Sequence, residues 1–281
     1  MFSYRYKDLL LAGGAVLVSV ALAFAHADLE QQIARVTKQI ESDPGNATLY
    51  LQRGELHRLH REWDDAETDY ARAARLDPSL IAVELARGMM LSDSGNPDEA
   101  KTHLDRFLAA QPDHVNALAT RARVLADLGR RLAAAEDYSR AIRLSTNPQP
   151  EFYLERARAL TLEGGEHFAE ALRGLDEGIQ KLGPVATLEL AAIDLELQIK
   201  RYDDALARLD AVAAQSGRKE TWLARRGEML EQAGRPGQAR KAYADALAAI
   251  ESLTPRARKV PATAELEAKV RSALQRLEGD Q

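Results

Sequence analysis

A chain of 281 residues with a formal net charge of −5 and no dominant basic stripe argues against a nucleic-acid partner. Cysteine is absent, which excludes a disulfide framework, a thiol nucleophile, a thiolate metal site and a lipid anchor on a cleavage-site cysteine. The length is ample for a fold stabilised by packing alone.

Residues 1–27 read as a secretory signal peptide. Arg5 and Lys7 form a positive leader, Leu9 to Phe24 is apolar, and Ala25-His26-Ala27 fits a small-x-small cleavage site before Asp28, with Ala23-Phe24-Ala25 as the alternative. The apolar stretch is shorter than the ~20 residues of a full membrane span. The competing reading is an uncleaved anchor. The expected location is therefore the periplasm or the exterior, or the periplasmic face of the inner membrane if the segment is retained. Cleavage would leave a chain with no membrane insertion.

Residues 28–46 follow as an N-terminal capping helix. Leu29, Ile33, Val36 and Ile40 share one helical stripe, and Asp43-Pro44-Gly45 ends it.

Residues 47–251 repeat with a step of 34. Gly54, Gly88 and Ala122 are in phase, as are Ala66, Ala100 and Ala134, and Tyr70, Leu104 and Tyr138. Pro78 and Pro112 close the first two units. Small residues at two phases let helices approach closely, and a period of this size denotes helix hairpins that bury their apolar faces only by stacking. Gly95, Gly129, Gly164 and Gly234 fall where first helices must end in a left-handed cap. Asn96-Pro97-Asp98-Glu99 offers an N-cap, a proline at N1 and acids in the first turn; Asp64-Asp65 and Asp203-Asp204 load the same turn. A two-residue insertion is expected near Gly165–His167 in the fourth unit, and Ile193 stands in the fifth where a small residue is wanted. No stretch alternates with the period of a strand.

Residues 252–281 complete the chain as a linker and a C-terminal capping helix. Arg256, Arg258 and Lys259 lie between Pro255 and Pro261 as a solvated connection. Leu266, Val270, Leu274 and Leu277 form the stripe of the last helix, with Glu265–Lys269 and Glu267–Arg271 at supporting i,i+4 spacing.

These positions resemble the tetratricopeptide repeat (TPR) pattern of a large residue, Leu-Gly, Tyr, Ala, an aromatic and a closing Pro. The resemblance runs through six units from Ala47 to Glu251, from Tyr50, Gly54, Ala66, Tyr70 and Pro78 in the first to Leu223, Gly227, Ala239, Tyr243 and Ala246 in the sixth. It implies an all-α, right-handed α-solenoid of about six hairpins, with some fourteen helices once both capping helices are included, and a binding surface rather than an enzyme. It also implies that first helices line a concave groove. Carried over by phase, the groove residues are Leu51, Glu55, Arg58, Leu85, Met89, Asp93, Arg123, Asp127, Leu154, Arg158, Leu190, Asp194, Glu228 and Glu231. Apolar residues among mixed charges suit a protein or peptide partner, and the excess of acids favours a slightly basic one. The Lys and Asn pattern of the two-carboxylate clamps in chaperone-tail receptors is absent, with Asn116 a single partial echo. The resulting expectation is an exported adaptor that supports assembly of an envelope complex, or a membrane-tethered assembly factor, or a non-catalytic subunit of an exported enzyme.

Candidate chemistry is sparse, and no cofactor, metal or small-molecule substrate is expected. His57 and His60 at i,i+3 spacing could hold a metal with a nearby acid, but His57 occupies the phase of a packing Tyr and reads as core. His103, His114 and His167 are scattered. Ser92-Asp93-Ser94-Gly95 lacks the strand of a nucleophile elbow, and Gly164-Gly165 lacks the strand and Lys-Ser/Thr of a phosphate loop. Asn46-Ala47-Thr48 has the glycosylation form, but Asn46 reads more simply as a helix cap. Arg53, Arg87, Arg121, Arg156 and Arg226 all precede the small residue of a first helix. They either grip a partner's carboxylates or, as favoured here, pair with acids on the following helix such as Asp69 and Asp137.

Overall fold

The computed structural model describes residues 28–279, so the expected signal segment lies outside the described residues. The first helix, α1, spans 28–42. Six hairpins follow: α2 (Ala47–Leu59) with α3 (Trp63–Leu76), α4 (Ala82–Asp93) with α5 (Pro97–Ala110), α6 (Val115–Asp127) with α7 (Arg131–Leu144), α8 (Pro150–Glu163) with α9 (Phe168–Leu182), α10 (Ala186–Gln198) with α11 (Tyr202–Ala214), and α12 (Lys219–Gln232) with α13 (Pro236–Glu251). A short α14 (Pro255–Arg258) and the terminal α15 (Pro261–Gly279) end the chain, giving one α-helix more than the repeat arithmetic implies. Among the described residues there is no strand, and no helix is long and apolar enough to cross a membrane.

The chain divides in sequence between Leu144 and Ser145 into two compact units. In the first, each second helix packs on its own partner, α3 and α5 also pack on the next first helices α4 and α6, and first helices touch each other, α2 on α4 and α4 on α6. The small-residue phase makes this possible. A Cβ on Gly54 would stand 2.6 Å from the Tyr70 ring, and one on Gly88 2.6 Å from Leu104. Ala66, Ala100 and Ala134, at the second small phase, are wholly buried. Helix α1 acts as the second helix of a preceding hairpin: Val36 and Ile40 are buried against Leu56, Leu49 and Tyr50, with Leu29 and Ile33 beside them, as the stripe predicts.

The second unit follows the same plan with three departures. The insertion in the fourth hairpin forms a 3-10 turn, Gly165–His167, between α8 and α9. Ile193 fills the small phase of α10 and is fully buried. At the end, α15 packs on α13 and α12, the place a further first helix would take, with Val270 and Ala273 buried and Leu266, Leu274 and Leu277 against the same core.

Helix ends also differ from expectation in detail. Gly95, Gly129 and Gly234 have φ of 82°, 73° and 70°, and the following amide reaches back to Leu91, Leu125 and Leu230 carbonyls at 2.8–2.9 Å. This is the six-to-one bond of a Schellman cap. Arg61 and Lys200 take the same left-handed geometry without glycine, with matching bonds from Glu62 to His57 and from Arg201 to Glu196. Gly164 does not: its φ of 162° is extended, because the inserted turn reverses the chain there instead. Asn46 caps α2 through a bond from the Thr48 amide, but Asn96 turns its amide to Ser94 and leaves α5 without a side-chain cap. Of the two helix-surface pairs expected in α15, Glu267–Arg271 forms at 2.8 Å, whereas Lys269 reaches Glu228 at 2.7 Å.

Candidate functional site

The first helices of the first unit carry a continuous row of polar contacts at the phases read as groove-lining. Arg58 donates to Glu55 on its own helix at 3.1 Å and to Asp93 on α4 at 2.5 Å. Asp93 accepts from Arg123 on α6 at 3.2 Å, and Arg123 Nη2 also donates to Ser92 Oγ. Tyr70 donates its hydroxyl to Glu55 at 2.6 Å from the second helix of the hairpin. Burial and then the bond to Glu55 push the Tyr70 pKa well up, so this proton stays in place. Burial opposes the Arg58 charge, but Glu55 and Asp93 outweigh it and hold the guanidinium above its ordinary range.

The row grows more exposed along its length. Arg58 is 11% exposed and Arg123 is 54% exposed. Leu51 and Leu85 are half-buried because they also serve the core, Leu51 beside Ala66 and Tyr70 and Leu85 beside Leu104 and Val124. Met89 is half-buried, and Asp127 is exposed at the end of α6.

In the second unit, Leu154 is half-buried, Leu190 packs against the core, and Arg158 and Asp194 are exposed. Asp194 accepts from Arg225 at 2.6 Å, Glu228 from Lys269 at 2.7 Å and Glu231 from Arg276 at 3.1 Å. The acid excess that pointed to a basic ligand is therefore offset. All of its acids except Asp127 are held, by Arg58, Arg123, Arg225, Lys269 and Arg276, the last three of which the phase argument did not include. Arg225 was legible as the residue one before Arg226; the other two required knowing that α15 lies against α12.

The periodic arginines are ion-pair centres within the fold. Arg53 forks onto Asp69 at 2.7 Å and touches Thr37 of α1; Arg121 forks onto Asp137 and reaches back to Asp105 at 2.9 Å; Arg156 meets Glu177 and the Gly174 carbonyl. Arg87 and Arg226 differ from the expectation, since their acids, Glu67 and Asp210, lie on the preceding helix. Position +16 from Arg87 is His103, and from Arg226 it is Ala242, so neither has an acid ahead. Two further histidines have structural places: His103 pairs with Glu84 at 2.8 Å, and His114 caps α6 by accepting from the Ala117 amide at 3.1 Å.

Two family models match in sequence: a tetratricopeptide repeat over residues 85–148 and a tetratricopeptide repeat-like domain over residues 168–266, together more than half of the chain. No curated protein matches. Among solved structures, the fold is similar to YrrB, a TPR protein with an unusual peptide-binding site, at 23% identity over 64% of this chain and 91% of that one, TM-score 0.54. It is similar to PilW, a widely conserved type IV pilus biogenesis factor, at 19% identity over 73% and 96%, TM-score 0.56. It is also similar to a tetratricopeptide repeat protein from Parabacteroides merdae ATCC 43184 at 16% identity over 91% and 98%, TM-score 0.52. At such identities the likeness is one of fold. This chain belongs to the tetratricopeptide repeat family.

Proposed function

We propose that this protein is a non-catalytic scaffold that binds a protein or peptide partner on the first-helix faces of its repeats. The observation that carries this reading is the row Glu55–Arg58–Asp93–Arg123 across α2, α4 and α6, ending in a guanidinium that is 54% exposed and held at one nitrogen only. A guanidinium so positioned can fork onto a carboxylate or a backbone carbonyl without unfolding its support. With five of the six groove acids already paired, the paired row offers a cationic group, and the favoured ligand segment presents acceptors. Similar folds include one with a peptide-binding site and one that is a type IV pilus biogenesis factor, which is consistent with this reading.

Residues 1–27 support a narrower form, an exported scaffold acting in an envelope assembly. An intact mass beginning at Asp28 is the expected result; a retained leader in the membrane fraction would favour the tethered alternative. The binding reading is tested by a photo-crosslinker placed at Asp127, exposed at the end of α6, or, as control, at Arg140, which lies on α7 against the Pro112 carbonyl. Partner adducts are expected at position 127 and lost on Arg123→Ala. Adducts at 140 alone would place binding on the second-helix face.

A further inference from the structure

We propose that the turn between α2 and α3 is a site for a divalent transition-metal ion of the zinc class, with His57 Nδ1, Glu62 and Asp65 as its protein ligands. The fold assembles these residues from both sides of a reversal. His57 sits on the last turn of α2, Arg61 turns the chain with a φ of 63°, and Glu62 and Asp65 open α3. One donor atom from each of the three lies within 4.8 Å of the others. A tetrahedral ion with bonds of about 2.0–2.2 Å spaces its donors about 3.4 Å apart. The His57–Glu62 contact of 2.6 Å therefore has to open by under ~1 Å, which rotation of the Glu62 side chain supplies.

Two more groups flank the three donors. His60 Nδ1 stands 2.7 Å from the other Glu62 oxygen, outside the three-donor cluster, so it steadies the carboxylate and leaves the fourth position to water. Asp69, buried and forked by Arg53, lies 3.9 Å from His57 Nε2. In the metal-free protein Nδ1 donates its proton to Glu62; when the ion displaces that proton, the remaining Nε2–H faces the fixed negative charge of Asp69, the side on which a carboxylate backs a metal-bound imidazole. The imidazoles are 15% and 14% exposed while Glu62 is 39% exposed, so the site opens to solvent through its carboxylate. Binding would join the end of α2 to the start of α3 and release protons, making it weaker at low pH.

The test is a titration of the metal-free full chain, carrying no affinity histidines, with Zn2+, followed by calorimetry and by the imidazole 15N resonances. One equivalent should bind saturably, with the His57 Nδ1 resonance moving to a coordinated position and the thermal midpoint rising. Glu62→Gln and His57→Asn should each weaken binding at least about ten-fold, and His103→Gln should not. Zn2+ that leaves the His57 resonances unmoved, or that binds both variants as tightly as the wild type, overturns the proposal. Should His57→Asn fail to fold, the wild-type resonances decide the question by themselves.

Discussion

The α6–α7 and α10–α11 hairpins solve one electrostatic problem with the charges exchanged. In the first, Arg121 on the first helix forks onto Asp137 of its partner and reaches Asp105 on the preceding α5. In the second, the arginine phase holds Ala192 and the acid phase holds Arg208, which reaches Glu196 and Glu189 on α10 and Asp176 on the preceding α9. Both guanidinium groups tie their own hairpin to the second helix before it. Both are held above the ordinary arginine range, Arg121 chiefly by its bond to Asp137, and Arg208 because three carboxylates outweigh the cost of its burial. The architecture thus requires a half-buried cation among carboxylates where three helices meet. Which helix supplies it is free.

The largest expected effect tests that equivalence. Arg208→Ala leaves Glu196, 3% exposed, and Glu189, 13% exposed, without their cation, and should cost ~3–5 kcal/mol in denaturant unfolding. Arg121→Ala should cost less, since Asp105 keeps Lys101 at 2.5 Å and Asp137 alone loses its partner. No loss in Arg208→Ala would show that the two clamps are not counterparts, and equal losses would refute the ranking.

Packing comes next. Gly88→Leu places a side chain where Leu104 already stands and should cost ~1–3 kcal/mol or more. Because each repeat leans only on its neighbours, hydrogen exchange should rise in α2 to α7 while α12 and α13 stay protected. A uniform rise along the chain would contradict this.

Turn chemistry should give smaller shifts of opposite sign at one phase. Arg61→Gly relieves a left-handed non-glycine residue and should stabilise by about 0.5–1 kcal/mol, whereas Gly95→Arg introduces the same strain and should cost a similar amount. Thermal midpoints that move in the same direction would refute the conformational argument.

The smallest effect contrasts an exposed clamp with the half-buried ones. Hydrogen bonds from His57 and then His60 hold the Glu62 carboxyl below its usual range. A depressed carboxylate stabilises the fold above the unfolded pKa of ~4.3 and loses that contribution as pH falls through its own lower value. Solvent screening limits the gain to below ~1 kcal/mol. The stability gap between wild type and Glu62→Gln, measured in the absence of metal, should therefore shrink as pH falls from about 5 towards 3; a gap that widens over that interval would reverse the assignment.

The hairpins, both capping helices and the inserted turn were legible because each is written in local periodicity. Gly54 against Tyr70 and Gly88 against Leu104 recur at fixed spacing, and α1 and α15 carry their stripes openly. Left-handed caps were legible where glycine marks them, and missed at Arg61 and Lys200, where the backbone bond pattern outweighs the residue's preference. The phases at which first helices carry their polar row were legible, but the pairing of its charges was not. Phase gives the side of a helix a residue occupies, and it cannot say that Lys269 and Arg276, some forty residues further on, neutralise Glu228 and Glu231.

By itself, then, the sequence determined the repeat, the all-α class and the places where helices start, stop and touch, since a 34-residue period and small residues at set phases constrain backbones directly. Beyond the pairs that phase already gave, such as Arg53–Asp69 and Arg121–Asp137, tertiary structure decided which charges meet. Arg87 turns back to Glu67, Arg208 replaces the absent arginine of its repeat, and His57 finds Glu62 and Asp65 across a turn. Long side chains reach partners on any neighbouring helix at nearly equal cost, so their pairing follows from where the packed backbones put them.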